Sequence, residues 1–141
     1  MNFIDLRDLK STEIISILNR GFSQNEREFY ILANCDIFDN ISKMVILSTD
    51  TIQSHLHHSD ITAEIYAKIP SMLNAKKDIF IQNDIIYIVL SVTDDENFRL
   101  TLKNIINKNE IFVSSLVRLS KHGGFEKEQR KLSKKYKRLQ G

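Results

Sequence analysis

The sequence predicts an α+β domain, with N-terminal helices packed on a four-stranded antiparallel meander and a basic helix at the C-terminus. Three observations carry this. Two stretches within residues 1–42 carry helix-start signals, four β-rich runs follow one another from Lys77 to Leu119 across short polar connections, and a basic stretch with apolar residues at helical spacing closes the chain. At 141 residues the simplest division is one domain in three parts, namely residues 1–42, a core at 43–119 and a basic tail at 120–141.

Taken in order, "STEIISILNRG" (Ser11–Gly21) reads as a helix that Ser11 or Thr12 can cap and Gly21 can end. Ile14, Ile15, Ile17 and Leu18 supply its apolar side. "SQNEREFYILANC" (Ser23–Cys35) reads as a second helix, because Ser23 followed by Glu26 matches a capping box. "KMVILS" (Lys43–Ser48) is a buried-strand pattern. Helical pieces are expected at about Thr49–His57 and Ile61–Ile69, with Asp60 as a cap for the latter and Pro70 ending it or opening a new turn.

From Lys77 the character changes. "DIFIQN", "IIYIVLSV", "NFRLTLKNII" and "EIFVSSLVRL" are strand-like, and "QND", "DDEN" and "NKNE" between them are hairpin connections. In the third run Phe98, Leu100 and Leu102 alternate with Arg99, Thr101 and Lys103, which sets one face on a core and the other in water. In the fourth, strict alternation puts Phe112, Ser114, Leu116 and Arg118 on one side and Val113, Ser115, Val117 and Leu119 on the other. Leu132, Tyr136 and Leu139 then recur at helical spacing.

Composition narrows the class. Apolar residues at 42% and charged residues at 27% are ordinary globular usage, and one proline with four glycines argues against long linkers. The single Cys35 forms no internal disulfide and fits a reducing, cytoplasmic setting as a small core residue. The longest apolar run, "IIYIVL", is strand-sized, so no membrane span is expected, and the N-terminus lacks the order of a signal peptide. The net charge of +2 divides into +5 for Phe125–Gly141 (seven Lys/Arg against two Glu) and −3 for the first 124 residues (13 against 16). A mildly acidic body thus carries a basic tail, which is either a solvated helix end or a neutraliser of nucleic-acid phosphates.

Three of the four histidines, His55, His57 and His58, lie close together. On a continuous helix His55 and His58 share a side and His57 points elsewhere. A zinc site needs three or four ligands, and neither Cys35 nor His122 stands at a familiar spacing, so no metal or other cofactor is expected. Imidazoles titrate near neutrality and suit acid–base work. RNA carries its own nucleophile, the 2′-hydroxyl, and an enzyme cutting it needs a base, an acid and cations for the developing charge. His55 or His58 can supply the first two. Arg99, Lys103 and Arg118, on strands beside Thr101, Ser114 and Ser115, can supply the cations and hydroxyls. The plainer reading of the same residues is a solvated sheet face. The glycine-rich phosphate loop, the serine nucleophile elbow and thiol catalysis all lack their patterns here.

The order of these residues resembles a known family. "ILSTDTIQSHLHHSDITAEIYAKIPSML", "FRLTLKNI" and "IFVSSLVRL" are similar to the phage-associated branch of the barnase–EndoU–colicin–RelE-like nucleases over about residues 43–119. The family outline has a strand ending in Ser, a helix with Thr and then His, a helix with Tyr before a Pro step, and strands with Lys and Ser/Thr-x-x-Arg. Ser48, Thr51, His58, Tyr66, Pro70, Lys103 and Ser115-x-x-Arg118 occupy those places. One departure is Ser54, near a slot that often holds Lys, with His55 beside it. The resemblance implies metal-independent RNA cleavage by 2′-hydroxyl attack in a toxin or phage-type effector. It makes His58 the first acid–base candidate and His55 the second, with Lys103 and Arg118 on phosphate. Ser115, Thr51 and Ser48 would orient it, and Tyr66 would support or stack. Expected partners are RNA and an antitoxin or immunity protein. Two alternatives use other chemistry: a non-catalytic RNA-binding or phage-head module of the same fold, and an immunity-type interaction protein.

Overall fold

The computed structural model describes residues 2–23, 26–38, 41–75 and 77–140, with backbone alone at 37, 38, 41, 77 and 140. Its elements are β1 (Asn2–Asp5), α1 (Ser11–Gly21), β2 (Glu28–Phe38), β3 (Ile41–Ser48), α2 (Thr49–Ser54), α3 (Ala63–Tyr66), α4 (Ile69–Asn74), β4 (Lys77–Gln82), β5 (Ile86–Thr93), β6 (Glu96–Ile105), β7 (Glu110–Leu119), α5 (Gly124–Lys135) and β8 (Lys137–Gln140). All eight strands form one mixed sheet in the order β1-β2-β3-β7-β6-β5-β4-β8. β1 runs parallel to β2 and β3 parallel to β7, while the other neighbours are antiparallel.

This overturns the expected four-stranded meander with N-terminal helices. Strand makes up 43% of the chain, and β4 to β7 are only the middle of a larger sheet. The error lies in residues 28–38. Phe29 and Ile31 are buried on one face, and Tyr30 and Leu32 on the other. A strand covered on both sides shows an unbroken apolar run, which cannot be told from a buried helix by periodicity. Ser23 and Glu26 therefore cap no helix. The tail is also corrected, since its helix stops at Lys135 and Lys137–Gln140 pair with β4 as a strand.

Cross-strand partners share a face, so the register sorts the side chains. One face carries Tyr30, Leu47, Val89, Phe98, Leu100 and Val113, and it is covered by α1 through α4 with Leu18, Ile52, Tyr66, Ile69 and Met72. The opposite face carries Phe80, Ile88 and Leu90 under Leu132 of α5, with Phe125 and Tyr136 at the margin. A smaller cluster of Phe29, Ile31 and Ile46, flanked by Phe112, lies on that second face toward the β1 edge.

Local chemistry explains the boundaries. Glu13 accepts from the Lys10 N–H at 3.4 Å at the start of α1. Gly21 ends α1 for a reason other than a left-handed cap: a Cβ there would lie 2.9 Å from the Tyr30 hydroxyl oxygen, so the helix end can lie on β2 only without a side chain. Asp94 and Asp95 both have positive φ, at 51° and 61°, and close a two-residue hairpin between Thr93 and Glu96. Pro70 opens α4 within its first turn, where its missing N–H costs nothing.

The C-terminal strand is held by one buried carboxylate. Asp78 is 3% exposed, accepts from Arg138 at 2.7 Å and accepts from the Gln129 amide. It thereby ties β4 to both α5 and β8. Arg138→Ala leaves Asp78 charged with Gln129 alone, and the expected loss is roughly 1–3 kcal/mol in urea denaturation at pH 7. Amides of β8 should exchange faster in the variant, and unchanged protection there would exclude the latch.

Candidate functional site

The site residues are best followed along β7. Its register against β6 slips between Thr101 and Leu102: Thr101 faces Ser115, yet Leu102 faces Val113. Ser114 is the extra residue of a β-bulge. The bulge reverses the face assignment of everything after it. Leu116 and Arg118 lie with Leu100 and Phe98 on the helix-covered face, whereas Ser115 and Val117 lie with Thr101 and Arg99 on the other. Strict alternation would group Ser114, Leu116 and Arg118, and the bulge corrects that grouping.

Two sets of predicted residues result. On the second face, Thr101 and Ser115 are direct partners, with Arg99 and Lys103 one row to either side on β6. Extending the parallel β3–β7 register by two residues from Ile46–Phe112 brings Ser48 level with Ser114. Hydroxyls of β3, β7 and β6 thus line up across the sheet. Arg118 stands across the sheet from them. It is bound to Glu96 at 2.7 Å, and this guanidinium, through its hydrogen bond, is the main cause holding the Glu96 carboxyl below its usual range. Lys103 and Arg118, both expected on phosphate, therefore lie on opposite faces of the sheet.

Arg99 is committed as well, in an ion pair with Glu128 of α5 at 2.8 Å. Lys103 is exposed and joins none of the described ion pairs.

The histidines follow from the end of β3. Ser48 is the N-cap of α2 and accepts from the Thr51 N–H at 3.2 Å, and its hydroxyl donates to Thr51 Oγ1 at the same distance. Thr51 Oγ1 in turn donates to the Val113 carbonyl of β7 at 3.3 Å, one residue before the bulge. One turn later His55 Nδ1 lies 2.8 Å from the Thr51 carbonyl, and Ser54 Oγ donates to that same oxygen at 3.1 Å. A carbonyl can only accept, so Nδ1 carries the proton and Nε2 of the neutral ring keeps its lone pair. Ser48, Thr51 and His55 form one connected chain that anchors an imidazole beside β7.

α2 ends at Ser54, and residues 55–57 turn, so helical spacing no longer governs the other rings. His57 does not point elsewhere. Its ring centroid is 4.1 Å from that of His58 and 6.3 Å from that of His55, and His55 and His58 are 5.8 Å apart. The His55 ring is near parallel to both others, at 21° and 22°, while His57 and His58 are tilted by 42°. Among the described residues no group of three or more His, Cys, Asp or Glu is arranged to hold a metal ion.

His58 lines a cavity of about 410 Å³ with Asn19, Phe22, Ile61 and Glu64, on the side of the molecule where α1 and α3 lie. Glu64 is the one formally charged group in that lining, and no cation stands there. The lining thus brings no Lys or Arg to His58, the first acid–base candidate. A distinct cavity of about 230 Å³ lies between α5 and the sheet and includes Arg99 and Thr101. Sequence reasoning missed Glu128, Lys131 and Lys135, which reach this cavity from the tail. Their i, i+3, i+7 spacing on a helix was the available signal.

Tyr66 is corrected too. It is 2% exposed, sits in the main core with its ring 6.1 Å from that of Phe22, and cannot stack on a substrate. Burial pushes its phenol up to about 12. Because the folded value exceeds the unfolded one of about 10, the stability this group contributes is full below about pH 10 and is lost as pH rises through about 12. Absorbance titration of the native chain should show Tyr66 ionising after a free tyrosine would, and Tyr66→Phe should lessen alkaline unfolding. Ionisation of every tyrosine near pH 10 in the folded chain would contradict the burial.

Among the described residues no helix is long and apolar enough to cross a membrane. No protein-family model, curated protein or solved structure matches the chain, so its site is characterised by its own geometry.

Proposed function

We propose that this chain is a metal-independent endoribonuclease of the toxin or phage-effector kind, acting on cytoplasmic RNA. The observation that carries the reading is the anchored imidazole. His55 is held by the Thr51 carbonyl with Nε2 left as acceptor, and Thr51 and Ser48 dock it against the β7 bulge, where Ser114 and Ser115 meet Thr101. The exposed Lys103 stands one row away on the same sheet face.

The chemistry needs little else. His55 Nε2 takes the proton of the RNA 2′-hydroxyl, and that oxygen attacks the adjacent phosphorus. The P–O5′ bond breaks, and His58, whose ring centroid is 5.8 Å from that of His55, returns a proton to the departing 5′-oxygen. The products are a 2′,3′-cyclic phosphate and a 5′-hydroxyl. Lys103 offsets charge on the phosphorane, and the hydroxyls of Ser48, Ser115 and Thr101 orient it. An acidic antitoxin or immunity protein would silence such an enzyme by covering Lys103. The competing reading, a module that binds RNA without cutting it, draws on the pairing of Arg99 with Glu128 and Arg118 with Glu96, which withdraws two cations from catalysis.

The test is incubation of total RNA with the chain in the presence of a chelator. Fragments ending in cyclic phosphate are expected, with loss of about 10²–10⁴-fold in rate for His55→Ala and a smaller loss for Lys103→Ala. Binding without fragments selects the non-catalytic module. Growth arrest on expression, relieved by His55→Ala, would mark a toxin.

A further inference from the structure

The cavity between α5 and the sheet shares only Thr101 with the steps above, and its lining is that of a ligand site. Arg99 from β6 and Lys131 and Lys135 from α5 supply three cations, against the one carboxylate of Glu128. The lining therefore carries two more cations than carboxylates. Glu128 is 12% exposed and bridges Arg99 at 2.8 Å and Lys131 at 3.9 Å, so a single carboxylate holds the place where an oxyanion with more charge would sit. Thr101 and Gln82 add uncharged hydrogen-bonding groups from the sheet. Ile88 and Leu132 give an apolar floor, and the ring of Tyr136 stands at the rim.

We propose that this cleft binds a phosphate-bearing nucleotide, seated as one unit of a single-stranded RNA. Arg99, Lys131 and Lys135 take the phosphate after Glu128 gives way, and Tyr136 with the apolar floor takes the base. The room of about 230 Å³ is below the roughly 300–1,000 Å³ of sites that enclose a whole cofactor. It admits one nucleotide whose chain continues outside, and it excludes a stiff duplex. Arg130 and Lys134 of α5 line a second hollow with Arg138, the last already paired with Asp78, and the next phosphates of such a strand would run there. The phosphate chemistry rests on the cleft alone, and the identity of the polymer rests on the ribonuclease reading.

The experiment uses the full chain carrying His55→Ala, so that RNA stays intact. Anisotropy with a short labelled single-stranded RNA is run beside calorimetry with adenosine monophosphate. Lys131→Gln with Lys135→Gln is expected to weaken RNA binding about tenfold or more and to lower the salt slope by about 1.4. Both lysines are exposed, so the folded chain should persist, and the melting temperature checks this. Glu128→Gln keeps a hydrogen-bond acceptor for Arg99 while removing the competing charge, and should tighten binding about threefold or more. A purely structural role for Glu128 predicts no such gain. Binding of the mononucleotide with the same dependence on both lysines supports the phosphate site and makes a free nucleotide its occupant. Absence of binding by either probe, or RNA binding indifferent to the lysine pair, overturns the proposal. A chain that binds in this way but never cuts RNA keeps the cleft and loses the ribonuclease. One that cuts RNA while ignoring the lysines keeps the ribonuclease and loses the cleft.

Discussion

The parallel contact between β3 and β7 is the constraint on which the rest depends. Met44, Val45 and Ile46 register against Glu110, Ile111 and Phe112, and the Met44 N–H donates to the Asn109 carbonyl at 2.9 Å. This joint fuses the N-terminal strands β1 to β3 with the later strands into one sheet. It is reinforced by a buried ammonium: Lys43, 6% exposed, donates to the Asn104 side chain and to the Ile105 carbonyl at 3.2 Å. A buried ammonium is costly unless its protons are matched, so Lys43 stabilises this alignment and penalises a slipped one. The joint also delivers the end of β3, and with it α2 and the histidine loop, to the middle of β7.

The bulge at Ser114 is the second decision. One extra residue moves Arg118 to the helix-covered face and leaves Ser115 facing Thr101. Without the slip, Ser115 would share a face with Leu100 and Arg118 would join Arg99. A strand with period two has no tolerance for a single insertion, so a local irregularity determines which charges can act together. The same slip explains why the two arginines find different carboxylates, Glu128 above one face and Glu96 on the other.

The helices divide the faces unequally. α1 to α4 cover one side, which commits Tyr66 and the main core to structure. α5 alone lies on the other, held by Leu132 and by the Asp78 latch, and it shelters a small, cationic space instead of closing it. The polar side chains Arg99, Thr101 and Lys103 of β6 therefore collect where coverage is partial.

Local chemistry was readable in the residues. The α1 span, the strand at Lys43–Ser48, the hairpin at Asp94–Asp95 and the helical turn opened by Pro70 each follow from caps, alternation or backbone preference within a few residues. So does the chain from Ser48 to Thr51, a serine capping the turn it precedes. Tertiary structure decided what distant partners control. It made a strand of Glu28–Phe38, because burial on both sides erases the alternation that announces a strand. It made Lys137–Gln140 into β8 because β4 offers an open edge, and it separated Arg118 from Lys103 because a bulge leaves no mark in composition or spacing. Sequence determined which residues could form each local element, since those energies come from near neighbours; the fold determined which side chains meet, since that depends on register between strands far apart in the chain, such as β3 and β7, whose partners Met44 and Glu110 are 66 residues apart.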